Sequence, residues 1–396
     1  MRCSLPVLIA ALMLPAVWLV SATAAVAEAP GKDKAAGFTV SLFNGENLYG
    51  WHANGCEAQV VDGTLKLAGG SGVLRTDHRY GDFVLELKWK PLKEQGHAAG
   101  IVFGADLVKP DQAETTRYVV SLKRGEEGAV AGLKGAKARP DLVKPGQWNT
   151  LRLSAAGDQV SLEINGEQAW KASGVKLSAG HLGLQAQVAE GGPVAFRDLT
   201  VTELTHRSMF NGRDLTGWEP GAGTEASCWS VEDGLLVCNG KKGPWLRSSE
   251  QYGDFNLRLE YKLLPGGNSG VYVRVPKNGD HRGREANQQE AGVEIQILDD
   301  QSPRYKNLKD YQYCGSVYAI APSTQRVGRE AGQWNSMEID CRGTRYRVTL
   351  NGVVIVDADA DAFPELANRL TNGYLGLQNH SEEVWFRNLR IGPPLP

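Results

Sequence analysis

The sequence predicts an all-β protein that consists of two tandem β-sandwiches. Its motifs occur twice in the same order, and the repeated residues are mostly glycine, aromatic and aliphatic. Many short segments alternate between apolar and polar residues, which is the period of a β-strand. The 47 glycines suit frequent turns, and long helical periodicity is absent. Two copies of one turn-rich β domain therefore account for the 396 residues.

The repeat is clearest in its aromatic and glycine motifs. Three pairs of matching segments show it: Phe43–Gly45 and Phe210–Gly212, Tyr80–Phe83 and Tyr252–Phe255, Gln147–Asn149 and Gln333–Asn335. The first sandwich is predicted to span residues 38–204 and the second residues 206–392. Because the junction between them has no proline- or serine-rich spacer, we expect the two sandwiches to touch.

Strand and turn signals recur at matching places in both copies. Phe83–Trp89 and Phe255–Tyr261 alternate in period two and predict strands. Asn165-Gly166 and Asn351-Gly352 each follow a strand segment and predict tight hairpin turns. The exception to the β pattern is Phe363–Leu370, which predicts a short helical segment because a proline stands near its start.

Residues 1–29 are typical of a secretory signal peptide. Arg2 supplies a positive start, residues 5–20 are mainly apolar, and Ala25–Ala27 matches a cleavage signature. A membrane anchor is the less favoured interpretation because the apolar segment is short. We therefore expect export to a bacterial periplasm or beyond, with no membrane span after signal removal.

Charge and cysteine spacing narrow the function classes. The net charge is -2 and there is no basic block, so no nucleic-acid partner is expected. The cysteines show no CxxC or Cys/His cluster of the kind that binds zinc. Cys228 and Cys238 flank a predicted turn at Asp233-Gly234, which would bring them near each other across two strands. A disulfide between them is an open option.

Charged and amide side chains distinguish the second copy from the first. Alternate residues of a strand share a face, so Tyr272 and Arg274 are expected on the side opposite Val271 and Val273. The same argument applies to the other strands of this region. The side chains predicted to share one curved sheet face are Arg274, Glu294, Gln296, Gln378 and His380, with Asn268, Asp299 and Trp245 at its edges.

The first copy lacks most of these groups. Gly104 stands in the place of Arg274, and Gln187 stands in the place of His380. Cationic, acidic, amide and imidazole groups beside an aromatic plate suit a sugar, whose hydroxyls need paired donors and acceptors. The alternatives are a structural ion pair between Arg274 and Glu294, and neutral drift of a duplicated surface.

The second half resembles the 3-keto-disaccharide hydrolase domain family. The segments that carry the resemblance include Val231–Gly234, Gly267–Arg274, Glu294–Asp299, Leu377–His380 and Phe386–Ile391. The resemblance implies a concanavalin A-like jelly-roll sandwich in each copy. It also implies activity on a small-molecule glycoside whose glucose unit carries a ketone at C3. Because the first copy lacks the polar positions, we expect it to support or bind glycans without turnover.

Several mechanisms are compatible with this resemblance. Glu294 or His380 would remove the C2 proton while the other assists the leaving oxygen, in contrast to hydrolysis by two opposed carboxylates. Arg274, Asn268 and Gln296 would stabilise the enolate-like oxygen and bind the hydroxyl groups of the sugar. Alternatively, Glu294, Asp299 and His380 would bind a divalent cation that polarises the ketone.

Two functions without catalysis are also compatible with the sequence. One is a non-catalytic, lectin-like carbohydrate-binding protein, since fold does not fix function. The other is a structural export module whose second copy binds a partner.

Overall fold

A computed structural model describes residues 37–395, apart from 94–95, 106–117, 178, 190, 222–227 and 283–290. The predicted signal segment, residues 1–29, lies outside the described residues. The two sandwiches form one compact unit. The predicted fold class, all-β with two tandem concanavalin A-like jelly-roll sandwiches, is confirmed. No helix in the described ranges is long and apolar enough to cross a membrane.

The first sandwich is one antiparallel 11-stranded sheet that curls onto itself. Its strands are β1 (Phe38–Ser41), β2 (Trp51–Val61), β3 (Thr64–Tyr80), β4 (Phe83–Pro91), β5 (Ala99–Ala105), β6 (Tyr118–Ser121), β7 (Asn149–Ala156), β8 (Gln159–Ile164), β9 (Glu167–Ser173), β10 (Gly180–Ala186) and β11 (Val194–Glu203). Strand β3 pairs with β11 near its start and with β10 near its end. This long strand therefore links the two leaves, which enclose buried residues such as Trp89 and Phe196.

The second sandwich consists of two separate sheets, whereas the first is one continuous sheet. Its strands are β12 (Arg207–Ser208), β13 (Trp218–Pro220), β14 (Trp229–Glu232), β15 (Leu235–Asn239), β16 (Leu246–Tyr252), β17 (Phe255–Leu263), β18 (Asn268–Val275), β19 (Val293–Leu298), β20 (Trp334–Arg342), β21 (Arg345–Leu350), β22 (Val353–Ala358), β23 (Gly373–Leu377) and β24 (Glu383–Gly392). The larger sheet has the order β14-β15-β24-β17-β20-β21-β22, with β12 paired to β24. The smaller sheet has the order β13-β16-β23-β18-β19, and the core lies between the two.

The Asn-Gly hairpins form as predicted in both copies. Asn165 and Asn351 adopt left-handed backbone angles, with φ of 54° and 47°, which asparagine tolerates better than most residues. Each amide side chain also anchors its hairpin: Asn165 donates to Asn149 Oδ1 and Asn351 donates to Asn335 Oδ1, both at 2.8 Å. The turn residues thus tie each hairpin to the repeated Trp-Asn motif.

The remaining local predictions have mixed outcomes. The hairpin around Asp233-Gly234 forms, with Trp229 paired to Cys238. Cys228 and Cys238 are nevertheless free thiols, so the optional disulfide is not formed. The helical segment is confirmed as the 3-10 helix Pro364–Asn368. Further short 3-10 helices are Pro140–Leu142, Pro303–Tyr305 and Asp310–Gln312.

The two sandwiches touch through a buried ion network. Glu203, at the end of β11, accepts hydrogen bonds from Arg258 Nη1 and Arg390 Nε of the second sandwich, both at 2.5 Å. Burial alone would raise the pKa of Glu203, but these two guanidinium groups outweigh it and hold the pKa at about 2. The charged contact joins the domains because each buried charge has a partner.

Candidate active site

The smaller sheet of the second sandwich presents a polar face on the side away from the core. Strands β18 and β19 pair so that Tyr272 lies opposite Glu294 and Gly270 lies opposite Gln296. Because side chains alternate along a strand, Val271 and Val273 of β18 point into the core. Tyr272, Glu294 and Gln296 therefore point to the other side. The predicted placement of Glu294 and Gln296 on one face is therefore observed, and their roles stay predictions.

Two glycines make room for large side chains on this face. A Cβ atom at Gly270 would lie 2.5 Å from Glu294 Oε1, and one at Gly376 would clash with the indole ring of Trp245. Glu294 and Trp245 thus lie over strands β18 and β23 because these positions have no side chain. The glycines bring an acid and an aromatic plate onto the same surface.

Tyr272 forms the centre of an aromatic cluster. The His281 ring stacks on it with centroids 4.4 Å apart and planes inclined by 15°. Trp245 meets it edge-on at 5.3 Å, and Gln378 Nε2 donates to its hydroxyl at 3.2 Å. Burial, reinforced by the nearby Glu294 charge, raises the pKa of Tyr272 well above its ordinary value. The hydroxyl therefore stays protonated and is a hydrogen-bond donor.

His281 and Glu294 lie next to each other on this face. His281 Nδ1 donates to the Gly279 carbonyl oxygen at 3.1 Å, since a carbonyl can only accept. Its other nitrogen, Nε2, lies 3.1 Å from Glu294 Oε2 and also accepts a hydrogen bond from Arg282 Nε. Both side chains of the pair are largely buried. The arrangement places a carboxylate and an imidazole, the two side-chain types most used as general acid or base, next to each other.

Several buried acceptor oxygens on this face have no hydrogen-bond partner. Among the described residues, the atoms concerned are Asn268 Oδ1, Glu294 Oε2, Gln296 Oε1 and Gln378 Oε1. Glu294 Oε2 is close to His281 but is not aligned with it as a hydrogen bond. Each unsatisfied buried acceptor costs roughly 1–3 kcal/mol. A cluster of them is complementary to a ligand that brings several hydroxyl donors.

Arg274 does not share this face, so the prediction for it is wrong. The backbone at Arg274 is left-handed, with φ of 52°, and the pairing with β23 shifts between Tyr272 and Val275. The irregularity turns the guanidinium towards the larger sheet, where it donates to Asp254 Oδ1 at 2.9 Å and to the carbonyl oxygens of Gly253 and Gly343. Arg274 is a fully buried structural residue that joins the two sheets.

The sequence did contain a signal for this irregularity. The first copy has Gly104 in the place of Arg274, and Gly104 is also left-handed, with φ of 68°. Glycine is favoured where φ is positive. A glycine in one copy therefore indicated that strict strand alternation ends at this position in the other.

His380 and Asp299 have partners other than Glu294 and His281. Strand β23 ends at Leu377, and the His380 side chain is 47% exposed and lies 3.0 Å from Glu382. Asp299 Oδ2 accepts a hydrogen bond from the Gly266 amide at 2.8 Å and so stabilises a turn. Glu294, Asp299 and His380 are thus not assembled as the predicted ligand set. The described part of the chain contains no group of three His, Cys, Asp or Glu side chains suited to a metal ion.

Sequence reasoning missed His281. It lies in the polar segment from Pro276 to Gly292, which is part of the additional length of the second copy; residues 283–290 of it lie outside the described ranges. The extra length was the available signal, because insertions on a rigid sandwich often carry binding residues. Of the predicted residues, Asn268, Glu294, Gln296, Gln378 and Trp245 lie on the shared face.

The matching face of the first sandwich has valines at three positions where the second has an aromatic or acidic residue. Gly100 lies opposite Ser121 as Gly270 lies opposite Gln296, which aligns the two faces residue by residue. In this alignment Val73, Val102 and Val119 replace Trp245, Tyr272 and Glu294, and the three valines pack together. The first copy therefore has no acid at the position of Glu294.

A family model described as the 3-keto-alpha-glucoside-1,2-lyase-like domain matches residues 38–202 and again residues 205–392. The chain belongs to this family. Both copies are members, although only the second carries the polar face described above.

Individual relatives cover about half of the chain. A 3-keto-disaccharide hydrolase of Bacteroides thetaiotaomicron is 27% identical over 222 residues, which are 46% of this chain and 77% of the relative. Two crystal structures from Parabacteroides distasonis, provisionally assigned as glycosyl hydrolases, are 25% and 28% identical. They cover 48% of this chain and 93% and 98% of their own, each with a TM-score of 0.40.

Proposed function

We propose that the second sandwich cleaves glycosides whose glucose unit carries a ketone at C3. The observation that carries this proposal is the buried Glu294–His281 pair, 3.1 Å apart, beside a cluster of unpaired acceptors. Membership of the family and the name of the Bacteroides relative support the same substrate class. The pair provides proton transfer, and the acceptors provide a site for sugar hydroxyls.

The proposed reaction begins at the C2–H bond, which the C3 ketone acidifies. Glu294 Oε2 takes this proton, and the electron pair moves into the ketone as an enolate. The enolate then forms a C1=C2 double bond and expels the leaving oxygen from C1, which takes up a proton. Addition of water across the double bond completes net hydrolysis. A positioned acid and base contribute typically 10²–10⁴-fold to such steps.

The neighbouring groups have separate roles in this scheme. His281 Nε2 lies beside Glu294 Oε2 and relays the proton to the leaving oxygen. The protonated hydroxyl of Tyr272 donates to the enolate oxygen, where negative charge develops. Trp245 offers an aromatic surface to the C–H face of the ring, and Asn268 and Gln296 accept hydroxyl hydrogens.

The test is turnover of a 3-keto-disaccharide by the full chain in D₂O, followed by NMR of the products. Proton removal followed by water addition predicts deuterium at C2 of the released 3-keto-glucose and none in the absence of turnover. Parallel reactions with and without chelator measure metal dependence. If Glu294→Gln and His281→Ala both left turnover intact, the assignment would be wrong. Saturable sugar binding without any product would favour the lectin-like alternative.

We also propose that turnover is confined to the second copy and that the protein is exported. Three valines stand on the first face where the second has Trp245, Tyr272 and Glu294, so the described part of the first face has no acid at the position of Glu294. If so, Glu294→Gln alone should lower turnover of the full chain about 10²–10⁴-fold; a variant that keeps a large fraction of wild-type turnover would refute this. For export, residues 1–29 should be absent from protein recovered from the periplasm or medium of a bacterial host.

A further inference from the structure

A cavity lies between the two sandwiches, and neither Glu294 nor His281 lines it. Its volume is about 320 Å³, which lies within the range of small-molecule sites, and such sites often occur at domain interfaces. Strands β1 and β3 contribute one wall, and β17, β20 and β24 contribute the other. The polar residues that carry the argument are Tyr49, Asp77, His78, Glu260, Ser336 and Asn388.

One wall contains a buried carboxylate oxygen without a partner. Asp77 is 4% exposed, and its Oδ1 atom lies 2.6 Å from His52 Nε2. Its Oδ2 atom has no hydrogen-bond partner among the described residues. Burial alone would raise the pKa of Asp77, but the hydrogen bond from His52 and the charges of His78, His52 and Arg329 together outweigh it and lower the pKa. The free oxygen is therefore an ionised acceptor that lacks a donor.

The same cavity contains a hydroxyl without a partner. Within the described chain, the Tyr49 hydroxyl is buried and makes no hydrogen bond. Burial, and then the Glu260 charge, raises the pKa of Tyr49 well above its ordinary value, so the group keeps its proton. Arg329 of the second sandwich lies over its ring at 4.5 Å. One wall thus offers a strong acceptor at Asp77 and a fixed donor at Tyr49, the pairing that a hydroxyl group satisfies.

The opposite wall adds an oriented serine. His78 lies between Ser336 Oγ, 2.8 Å from its Nε2, and Glu338 Oε2, 3.0 Å from its Nδ1. Ser336, His78 and Glu338 thus follow the order nucleophile, base and acid of a catalytic triad. However, the Ser336 amide donates to Asn351 Oδ1 and cannot stabilise an oxyanion. Arg258 Nε also lies 2.9 Å from the same Glu338 oxygen. The chain therefore orients the serine hydroxyl towards His78 and leaves its oxygen as an acceptor.

The charges of the cavity wall balance. Glu260 accepts from Arg387 Nε at 2.7 Å and from Asn388 Nδ2 at 2.8 Å. Arg390 is bonded to Glu203, whereas the charge of Arg329 acts on Asp77, so each acid of the wall has a cationic neighbour. A charged ligand would leave one side unbalanced in a buried setting. The balance favours a neutral ligand.

We propose that this inter-sandwich cavity binds a neutral polyhydroxylated ligand, a sugar or a linear polyol, at a site separate from the catalytic face. Ligand hydroxyls donate to Asp77 Oδ2 and Ser336 Oγ and accept from the Tyr49 hydroxyl. The residues involved differ from those of the proposed reaction, so the inference does not depend on the proposed function.

The test is calorimetric titration of the full chain with glucose, a disaccharide and sorbitol. Three variants separate the sites: Tyr49→Phe and Asp77→Asn in the cavity, and Glu294→Gln on the catalytic face. We expect at least one ligand to bind saturably, and both cavity variants to weaken this binding about tenfold or more while Glu294→Gln leaves it unchanged. The comparison of glucose with sorbitol distinguishes a ring from an open chain.

Two controls distinguish a loss of binding from a loss of folding. Tyr311→Phe removes a hydroxyl that does not line the cavity and should leave binding unchanged. Each variant is checked for a wild-type melting temperature, and Tyr49→Phe keeps the ring in place if Asp77→Asn proves unstable. The proposal is overturned if no ligand binds at millimolar concentration. It is equally overturned if the binding is lost in Glu294→Gln and retained in both cavity variants.

Discussion

The imidazole of His281 lies 3.1 Å from the carboxylate of Glu294, and both groups are largely buried beside Tyr272. The two residues reach this position from different elements, since Glu294 belongs to β19 and His281 to the preceding loop. Their contact makes a titratable pair on a face whose other polar groups are mostly amides.

Removal of either member of the pair should slow turnover more than it weakens binding. For Glu294→Gln and for His281→Gln we expect kcat to fall about 10²–10⁴-fold with a smaller change in KM, because proton transfer is lost while shape is kept. Steady-state kinetics on a 3-keto-disaccharide measure both constants. The matched control is His380→Gln, whose exposed side chain should be dispensable; a comparable loss in that variant would contradict the assignment.

Equivalent glycines in the two copies allow a sharper comparison. A Cβ atom at Gly270 would lie 2.5 Å from Glu294 Oε1, and one at Gly100 would lie 2.5 Å from Val119 Cγ1. Gly270→Ala should displace the carboxylate and reduce kcat by about 10²-fold, since a shift of about 1 Å has this effect. Gly100→Ala introduces the same crowding in the first sandwich and should leave kcat unchanged. Equal losses in both variants would show that general destabilisation is responsible.

Arg274 should prove essential for stability and not for chemistry. Its buried guanidinium bonds two carbonyl oxygens and Asp254, so Arg274→Ala should lower the free energy of unfolding by about 3–5 kcal/mol. Urea unfolding followed by tryptophan fluorescence measures this change. A direct catalytic role would instead appear in Arg274→Lys as a large loss of kcat with unchanged stability.

The domain contact should make the protein sensitive to acid. Burial, and then the Arg258 charge, lowers the pKa of His206 to about 4 from 6.5, and the arginines hold the pKa of Glu203 at about 2 against 4.5. Between the folded and the ordinary pKa of each residue, the unfolded chain binds more protons than the folded one. Acidification through either range therefore lowers the free energy of unfolding. The His206 contribution is lost as the pH falls from 6.5 to 4, and that of Glu203 as it falls from 4.5 to 2.

Urea unfolding at pH 7.5, 6, 5 and 4 checks this order. His206→Asn should flatten the upper part of the profile, because asparagine does not titrate, while leaving the lower part. An unchanged slope between pH 6.5 and 4.5 in this variant would mean that other groups cause the loss.

The sequence by itself determined the fold and most of one sheet face. Repetition of glycine and aromatic motifs indicated two sandwiches, and period-two alternation correctly placed Glu294 and Gln296 together on the face away from the core. These features depend on local backbone geometry, which short segments of sequence encode directly. Gln378 was placed on the face by alternation, opposite Leu377, and Trp245 by comparison of the two copies.

Only the tertiary structure decided the chemistry of that face. A left-handed residue turned Arg274 towards the other sheet, the end of β23 left His380 in an exposed turn, and a loop brought His281 against Glu294. None of the three follows from strand periodicity. Backbone irregularities and loop paths depend on packing between distant segments, and it is this packing that selected the partner of the buried carboxylate.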